Sequence, residues 1–421
     1  MKTPDIIVIG GGAAGLMAAG QAAQAGSRVL LLEKMPQPGR KLGITGKGRC
    51  NLTNCCEVQN FVCRFGTSGR FLRQAFARFF NTELMAFFEE LGVPLMTERG
   101  GRVFPAGGQA TEVVKALQKW LRNAGVVLQT SAPVEALLLH DGRVTGVRCE
   151  GREIPCQCVV LATGGASYPA TGSTGDGYRM AAAAGHRIVP VRPALVPLET
   201  RSPATGRMAQ LNLRNIRVKL LVDGKKTAED FGELTFTAFG VSGPTILTLS
   251  GQAVDALAAG RRVSLSLDLK PALDEEKLDR RLQRDLDARG RETLASLLRG
   301  LLPAPMVPVC LDLLRLPGDG SAATLKAKDR RRLGRWIKDF SLEISGHRPF
   351  SEAIVTAGGV DLEQVDPRTL QSRCVRGLYL AGELLDLQAE TGGYNLQAAF
   401  STGWLAGRSA ALALTRKAPD R

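Results

Sequence analysis

Histidine is nearly absent from this chain: His140, His186 and His347 are the only three in 421 residues. That leaves almost no material for histidine-based triads or histidine metal centres. Aromatic residues make up 5% of the chain, so an extended stacking platform for single-stranded nucleic acid is not expected. No apolar run reaches the length that spans a bilayer. The opening "MKTPDIIVIGGG" passes directly into a strand without a signal peptide. The nine cysteines (Cys50, Cys55, Cys56, Cys63, Cys149, Cys156, Cys158, Cys310, Cys374) are odd in number and scattered, with no C-x-x-C among them. They read as reduced thiols of a cytoplasmic protein, and no metal site is expected.

Glycine is abundant instead, at 48 residues, and the net charge is +15. Glycine-rich chains have many turns and many places where backbone approaches something closely. One such place is "GITGKGRCNLTN", Gly43 to Asn54, which has too little apolar content for a core strand and too many glycines for a stable helix. The excess cations suit an anionic cofactor, an anionic substrate or nucleic acid. In "LDRRLQRDLDARGRETLASLLRG" and "KAKDRRRLGRWIKD" they alternate with acids and with Leu or Trp at helical spacing. This pattern reads as the solvated faces of amphipathic helices.

The strongest chemical signal lies at the start. Ile6–Ile9 is an all-apolar run of the kind a central parallel strand requires. Gly10, Gly12 and Gly15 then spell G-x-G-x-x-G, with Ala13 and Ala14 opening a helix of small residues. Arg28–Leu32 is a second strand, ended by Glu33. In such a unit the first glycine makes a tight turn, the second lets backbone meet a pyrophosphate at a helix N-terminus, and the third lets helix and strand pack closely. Glu33 follows Gly15 by 18 residues, the spacing of a carboxylate that binds ribose hydroxyls. The motif alone does not separate NAD from FAD.

Later segments bear on that choice. "VVLATGG" (Val159–Gly165), "STGDGYRMAAAAG" (Ser173–Gly185), "GLYLAGELLD" (Gly377–Asp386) and "TGGYNLQAAFSTGWLAG" (Thr391–Gly407) each join a strand or helix to a glycine turn. Several such turns can line one extended ligand along the carboxyl ends of a sheet. FAD, with its ribitol and ring, fits this better than a shorter dinucleotide. The candidate cofactor residues are Gly10, Gly12, Ala13, Ala14, Gly15, Glu33 and Lys34 at the fingerprint. Arg40, Lys41, Gly46, Arg49, Cys50 and Asn51 follow in the early loop, where cations offset phosphate charge. Val134, Thr163, Gly164, Gly165 and Asp176 come from the middle of the chain. Gly382, Glu383, Gly393, Tyr394, Asn395 and Leu396 complete the set. Glu383 is expected to accept from the ribitol, Gly392 and Gly393 to let backbone pass beside the flavin ring where a Cβ would collide, and Asn395 to open a helix aimed at that ring. No residue stands out as a catalytic acid or base.

The stretches "GGGAAGLMAA", "GRKLGITGKGRCNLTN", "LATGG", "FTAFGVSGP", "TAGGV" and "LYLAGELLDLQAETGGYNLQAAFSTG" give the chain its family likeness. It resembles the bacterial NAD(P)/FAD-dependent oxidoreductase flavoproteins, labelled aminoacetone-oxidase-like, which include a flavin reductase of bile-acid dehydroxylation. The resemblance implies FAD and a flavin domain like that of glutathione reductase or fumarate reductase, with an inserted domain. One departure is Ala238 in "FTAFGVSGP", where the family usually has histidine.

The expected fold is α/β: a Rossmann-like FAD-binding domain with an inserted β-rich plus helical domain. The FAD domain is expected over 1–192 and 352–421, and the insert over 193–351. Within the insert, 193–271 reads as strands of a small barrel or sandwich and 272–340 as helical. Two short helices are expected over Phe71–Leu91 and another helix over Gln109–Ala124. Strands are expected over Val126–Gln129, Val134–His140 and Val144–Cys149, with Asp141–Gly142 a hairpin turn. The sequence thus predicts an FAD-dependent oxidoreductase acting on a small organic substrate, with NAD(P)H or oxygen as the other redox partner. It predicts no membrane or nucleic-acid partner and leaves the oligomeric state open. The alternatives are a flavin-dependent tRNA-modifying enzyme and a non-enzymatic flavin-loaded redox sensor.

Overall fold

A computed structural model describes residues 3–415. The chain forms two compact units: residues up to Pro193 together with those from Ala353 onward, and Ala194–Glu352.

The first unit is built on a five-stranded parallel sheet. Its strand order is Leu378–Leu380, Cys158–Leu161, Ile6–Ile9, Val29–Leu32 and Val127–Gln129. Strand Ile6–Ile9 is central and buried along its whole length, which is why it carries no polar residue. Ile9 pairs in register with Leu32 on one side and Leu161 on the other, and Leu161 with Leu380. The next residues, Gly10, Glu33, Ala162 and Ala381, therefore leave the sheet in one row at its carboxyl edge.

Small residues bring the helices close to that edge. Helix Ala13–Gln24 packs against the C-terminal helix Tyr394–Thr415. A Cβ on Gly407 would overlap the Ala18 carbonyl oxygen. On the other side, a Cβ on Gly20 would overlap the Trp120 ring of helix Ala110–Asn123. Two three-stranded antiparallel sheets flank this core. One pairs Val134–His140 with Arg143–Cys149 through a turn at Asp141 and Gly142, both with positive φ. That is the geometry an Asp-Gly hairpin requires. The segment from Phe71 holds the two short helices expected, Arg73–Phe76 and Asn81–Glu90, preceded by a 3₁₀ turn Gly66–Leu72.

The second unit is a closed six-stranded antiparallel barrel. Its order is Leu198–Thr200, Gly240–Ser242, Lys225–Phe236, Asn212–Val222, Val263–Asp268 and Phe340–His347. Two corrections follow. Pro244–Ala258 is a helix inside the stretch read as strands, because Gly243 turns the chain at φ +99° and Pro244 occupies the first helical position. The closing strand Phe340–His347 lies beyond the helical segment, so the barrel is assembled from both ends of the insert. Among the described residues, no helix is long and apolar enough to cross a membrane, and no group of three or more His, Cys, Asp or Glu side chains is placed to hold a metal ion.

Candidate functional site

The three fingerprint glycines divide by what surrounds them. Gly10 has φ +100°, and a Cβ there would stand 2.6 Å from the Ala162 carbonyl oxygen. At Gly15 a Cβ would overlap the Gly10 carbonyl oxygen. Both are glycines because protein backbone passes beside them. Gly12 has an ordinary φ of −82°, and a Cβ there would meet nothing within 4 Å. The open space beside it lies at the start of helix Ala13–Gln24, whose first turn has no acidic residue and no side-chain cap. That N-terminus, with the amides of Ala13, Ala14 and Gly15 leading it, is suited to an anion.

Glu33 leaves the second strand and turns toward this cradle. Its Oε2 accepts from the Gly11 amide at 2.6 Å and its Oε1 from the Met35 amide at 2.8 Å. Each oxygen retains acceptor capacity for a further donor such as a ribose hydroxyl. Beyond Glu33 lies a groove of about 500 Å³ lined by Lys34, Pro133, Val134, Asp176, Arg179 and Met180, among others. Lys34, Val134 and Asp176, far apart in sequence, thus meet. The Lys34 ammonium donates to Thr174 Oγ1 and pairs with Asp176, which also pairs with Arg179. Burial alone would raise the Asp176 pKa, but the hydrogen bonds from Lys34 and Thr174 outweigh it and hold the carboxyl below its usual range.

At the far end of the row, Gly164 has φ +73° and Gly382 φ +77°. The Gly382 amide donates to Thr402 Oγ1 at 3.0 Å. A Cβ on Gly165 would overlap Thr356 Oγ1. Thr163 Oγ1 is buried without a hydrogen-bond partner. Glu383 accepts from the Thr356 amide at 2.8 Å, from Ser167 Oγ at 3.1 Å and from Lys41 Nζ at 2.6 Å. Sequence reasoning missed Ser167 and Thr356. Their signal was present, since Ser167 follows the Gly164–Gly165 pair and Thr356 begins "TAGGV".

The loop Gly43–Asn54 meets protein backbone. With its amide oriented to serve both neighbours, Asn51 accepts from the Gly393 amide at 3.0 Å and donates to the Thr53 carbonyl at 3.1 Å. Asn54 donates to the carbonyls of Gly100 at 3.0 Å and Gly392 at 3.2 Å. Gly46 takes φ +62° where the loop folds back, and a Cβ there would lie 3.2 Å from the Asn51 amide nitrogen. The cations find carboxylates or the surface. Arg49 pairs with Glu98 and lies 4.2 Å over the Phe104 ring. Arg40 is exposed, 3.4 Å from the Ala170 carbonyl. Cys50 is fully buried, and burial pushes its thiol up to about 12, so it packs and does not react.

The last group of candidates is held by its own surroundings. Tyr394 is buried with its ring 4.7 Å from Phe61, and Arg64 lies 5.7 Å above it. Asn395 accepts from the Ala389 amide and donates to its carbonyl, both at 2.9 Å. Leu396 packs against the core. The side chains of Tyr394, Asn395 and Leu396 therefore fix the turn before the C-terminal helix. Of the histidines, His186 follows Gly185 at the end of helix Asp176–Ala183, where its amide donates to the Ala181 carbonyl at 3.0 Å, and its ring is buried against Ser372 Oγ at 2.8 Å. His140 is exposed beside Asp141. In the insert, Ala238 sits in the turn closed by Gly240 N donating to Thr237 Oγ1 at 3.0 Å.

Fold and site together define a Rossmann-type flavoprotein. The open space at Gly12, the turned-in Glu33 carboxylate and the groove beyond it fit FAD. Residues 4–409 match the model described as HI0933-like protein Rossmann domain, and the chain belongs to that family of flavin-dependent oxidoreductases. The chain is 36% identical over 406 residues to the 3-dehydro-bile acid delta(4,6)-reductase of Clostridium scindens, covering 96% of this chain and 98% of that one. It is 30% identical over 409 residues to the ribosomal RNA dihydrouridine synthase of Escherichia coli, covering 96% and 97%. In fold it is similar to the 3-ketosteroid delta1-dehydrogenase of Sterolibacterium denitrificans, with a TM-score of 0.53 at 15% identity, covering 98% of this chain and 100% of that one.

Proposed function

We propose that this protein is an FAD-dependent reductase of a carbon–carbon double bond conjugated to a carbonyl, with NAD(P)H as the electron source. The observation that carries this reading is end-to-end similarity to a bile acid reductase and a dihydrouridine synthase, whose names share one chemistry. A 3-dehydro bile acid with a delta-4 double bond is an enone. The uracil double bond that becomes saturated in dihydrouridine is conjugated to a ring carbonyl. Both reductions add hydride to the carbon remote from the carbonyl and a proton to its neighbour.

Bound FAD supplies the hydride chemistry. The chain's own residues bind and orient it. Ala13, Ala14 and Gly15 offer amides to the pyrophosphate, Glu33 takes ribose hydroxyls, the groove at Lys34, Val134 and Asp176 receives the adenosine end, and Glu383 takes the ribitol. The similarity at 36% favours a small polycyclic enone as substrate. Ion pairing supports the same choice. In the second unit Arg330 pairs with Asp279, Arg332 with Asp329, Lys338 with Asp268 and Arg289 with Glu292, so its field is weaker than its cations suggest. The net charge of +15 and the similarity to an RNA-modifying enzyme favour a second reading, in which the substrate is a uridine in RNA.

The test is anaerobic. FAD-loaded protein is mixed with NADH or NADPH and with a 4-en-3-one steroid or unmodified ribosomal RNA. Loss of enone absorbance supports the first reading, and dihydrouridine in digested RNA supports the second. Reduction of neither, by protein whose flavin is reduced by NAD(P)H, overturns the proposed reaction.

A further inference from the structure

Lys41 stands in a loop whose cations were expected to offset phosphate charge, yet it reaches a carboxylate. Its ammonium donates to Glu383 Oε2 at 2.6 Å and to Ser167 Oγ. Ser167 is fully buried, and its amide donates to Thr356 Oγ1 at 3.1 Å. The other Glu383 oxygen, Oε1, accepts from the Thr356 amide and from Ser167 Oγ at 3.1 Å, whose single proton goes to the nearer, charged carboxylate rather than to the Ile354 carbonyl at 3.3 Å, and this fills its two acceptor directions. Oε2 accepts from Lys41 alone among these, so one acceptor direction remains. The Gly164 backbone passes close to this oxygen, where a Cβ would lie 4.0 Å from Oε2.

The short helix that carries Lys41, Arg40–Ile44, is itself fixed to the fingerprint. The Gly39 amide at its start donates to the Gly11 carbonyl at 2.8 Å. Lys41 therefore ties the glycine turn after the first strand to the carboxylate after the last strand of the sheet. Arg40, one residue earlier, makes no such link and stays exposed.

We propose that Lys41 is a positioning residue for Glu383: it fixes the carboxylate so that its one remaining acceptor direction faces a hydroxyl of the bound cofactor, and it is not a phosphate counter-charge. This rests on the reading that FAD is bound here. A carboxylate with four acceptor directions and no fixed rotamer offers a poorer site than one with three directions already taken. The site is also specific for a compact ammonium. A guanidinium is a wide planar fork, and it does not substitute where Ser167 Oγ and Glu383 Oε2 converge on a single nitrogen.

The test is a double-mutant cycle on FAD affinity, measured by fluorescence quenching as apoprotein rebinds FAD. Lys41→Met is expected to raise the dissociation constant about tenfold, roughly 1.4 kcal/mol. Glu383→Gln is expected to do the same, and adding Lys41→Met to Glu383→Gln is expected to change it by less than about twofold. Lys41→Arg is expected to behave like Lys41→Met. The melting temperatures of the folded apoproteins accompany these values, because a merely structural strut would lower them without moving the affinity. Three outcomes overturn the proposal: a lowered melting temperature with unmoved affinity in Lys41→Met, which makes it a strut, wild-type affinity in Lys41→Arg, or an undiminished effect of Lys41→Met in the Glu383→Gln background. Either of the last two assigns Lys41 to the phosphates. If Lys41→Met does not fold, Lys41→Arg alone and combined with Glu383→Gln carries the same decision. A wild-type protein that binds no FAD defeats the underlying reading instead, before any variant is compared.

Discussion

Gly403 of the C-terminal helix lies directly on Ala14 of the fingerprint helix: a Cβ on Gly403 would overlap the Ala14 carbonyl oxygen and stand 2.9 Å from its carbonyl carbon. Four residues on, Gly407 repeats the relationship with Ala18. The last helix thereby fixes the first one, whose N-terminus forms the anion cradle. Gly403→Val is therefore expected to force the two helices apart and destabilise the protein by about 1–3 kcal/mol or more, as overpacking does. Urea unfolding followed by circular dichroism reads this directly. An unchanged midpoint would mean that the helices separate without cost, and the close packing would then carry no stability.

Gly10 and Gly12 should separate stability from binding. Ala at position 10 must adopt φ near +100° with its Cβ beside the Ala162 carbonyl. Gly10→Ala should cost about 1–3 kcal/mol of apoprotein stability, the range for strained backbone. Ala at position 12 meets nothing in the protein. Gly12→Ala should leave apoprotein melting unchanged and still weaken FAD binding by tenfold or so, because the methyl stands where the ligand approaches. FAD content and apoprotein melting are measured on the same samples. Full FAD binding by Gly12→Ala would show that the open space is not used.

These contrasts show what the sequence could reveal. The parallel strand, the glycine turn and Glu33 were legible because local rules govern them: an apolar run, a fixed spacing, an acidic end. The groove that joins Lys34, Val134 and Asp176 was legible only as separate candidates, since sheet order brings them together. The partner of Lys41 was not legible because charge says nothing of direction. That partner, Glu383, lies 342 residues away. Helix Pro244–Ala258 was missed because its small and apolar residues lack a strong helical stripe, although Gly243-Pro244 marked its start. The closing barrel strand Phe340–His347 carries the apolar–polar alternation of a half-buried strand, but it begins directly after helix Ala327–Lys338 and its barrel partners lie far away in the sequence.

Gly393 tests a misplaced reason. The sequence suggested that a Cβ there would collide with the flavin ring. In the structure the Thr53 backbone fills that space, and φ is +97°. Gly393→Val combines a steric overlap with a conformation that β-branched residues avoid. Loss of about 1–3 kcal/mol in the apoprotein is expected, with FAD binding impaired only as a consequence of the loosened Asn51 and Asn54 contacts. A calorimetric melt of the apoprotein decides the matter. If it is unchanged while FAD affinity falls, the ring explanation is correct and the Thr53 contact is incidental.

Thiol chemistry gives the last test. Burial pushes the thiols of Cys50, Cys156 and Cys310 from 9.0 up to about 12. At about pH 8 the native protein should hold almost no thiolate at these positions, since each pKa unit is a factor of ten in the ionised fraction. Alkylation should therefore mark the exposed Cys55, Cys63 and Cys374 first and leave Cys50 untouched until the protein unfolds. The same shifts have a sign for stability. Unfolded, these thiols ionise near 9.0; folded, they keep their protons to about 12. As pH rises through that window the unfolded state loses protons first, so stability must fall there, and below it these thiols contribute no slope. Cys50→Ala should flatten part of that fall, read as the urea midpoint against pH. Peptide mapping that finds Cys50 labelled as fast as Cys55 in the native protein would contradict its burial.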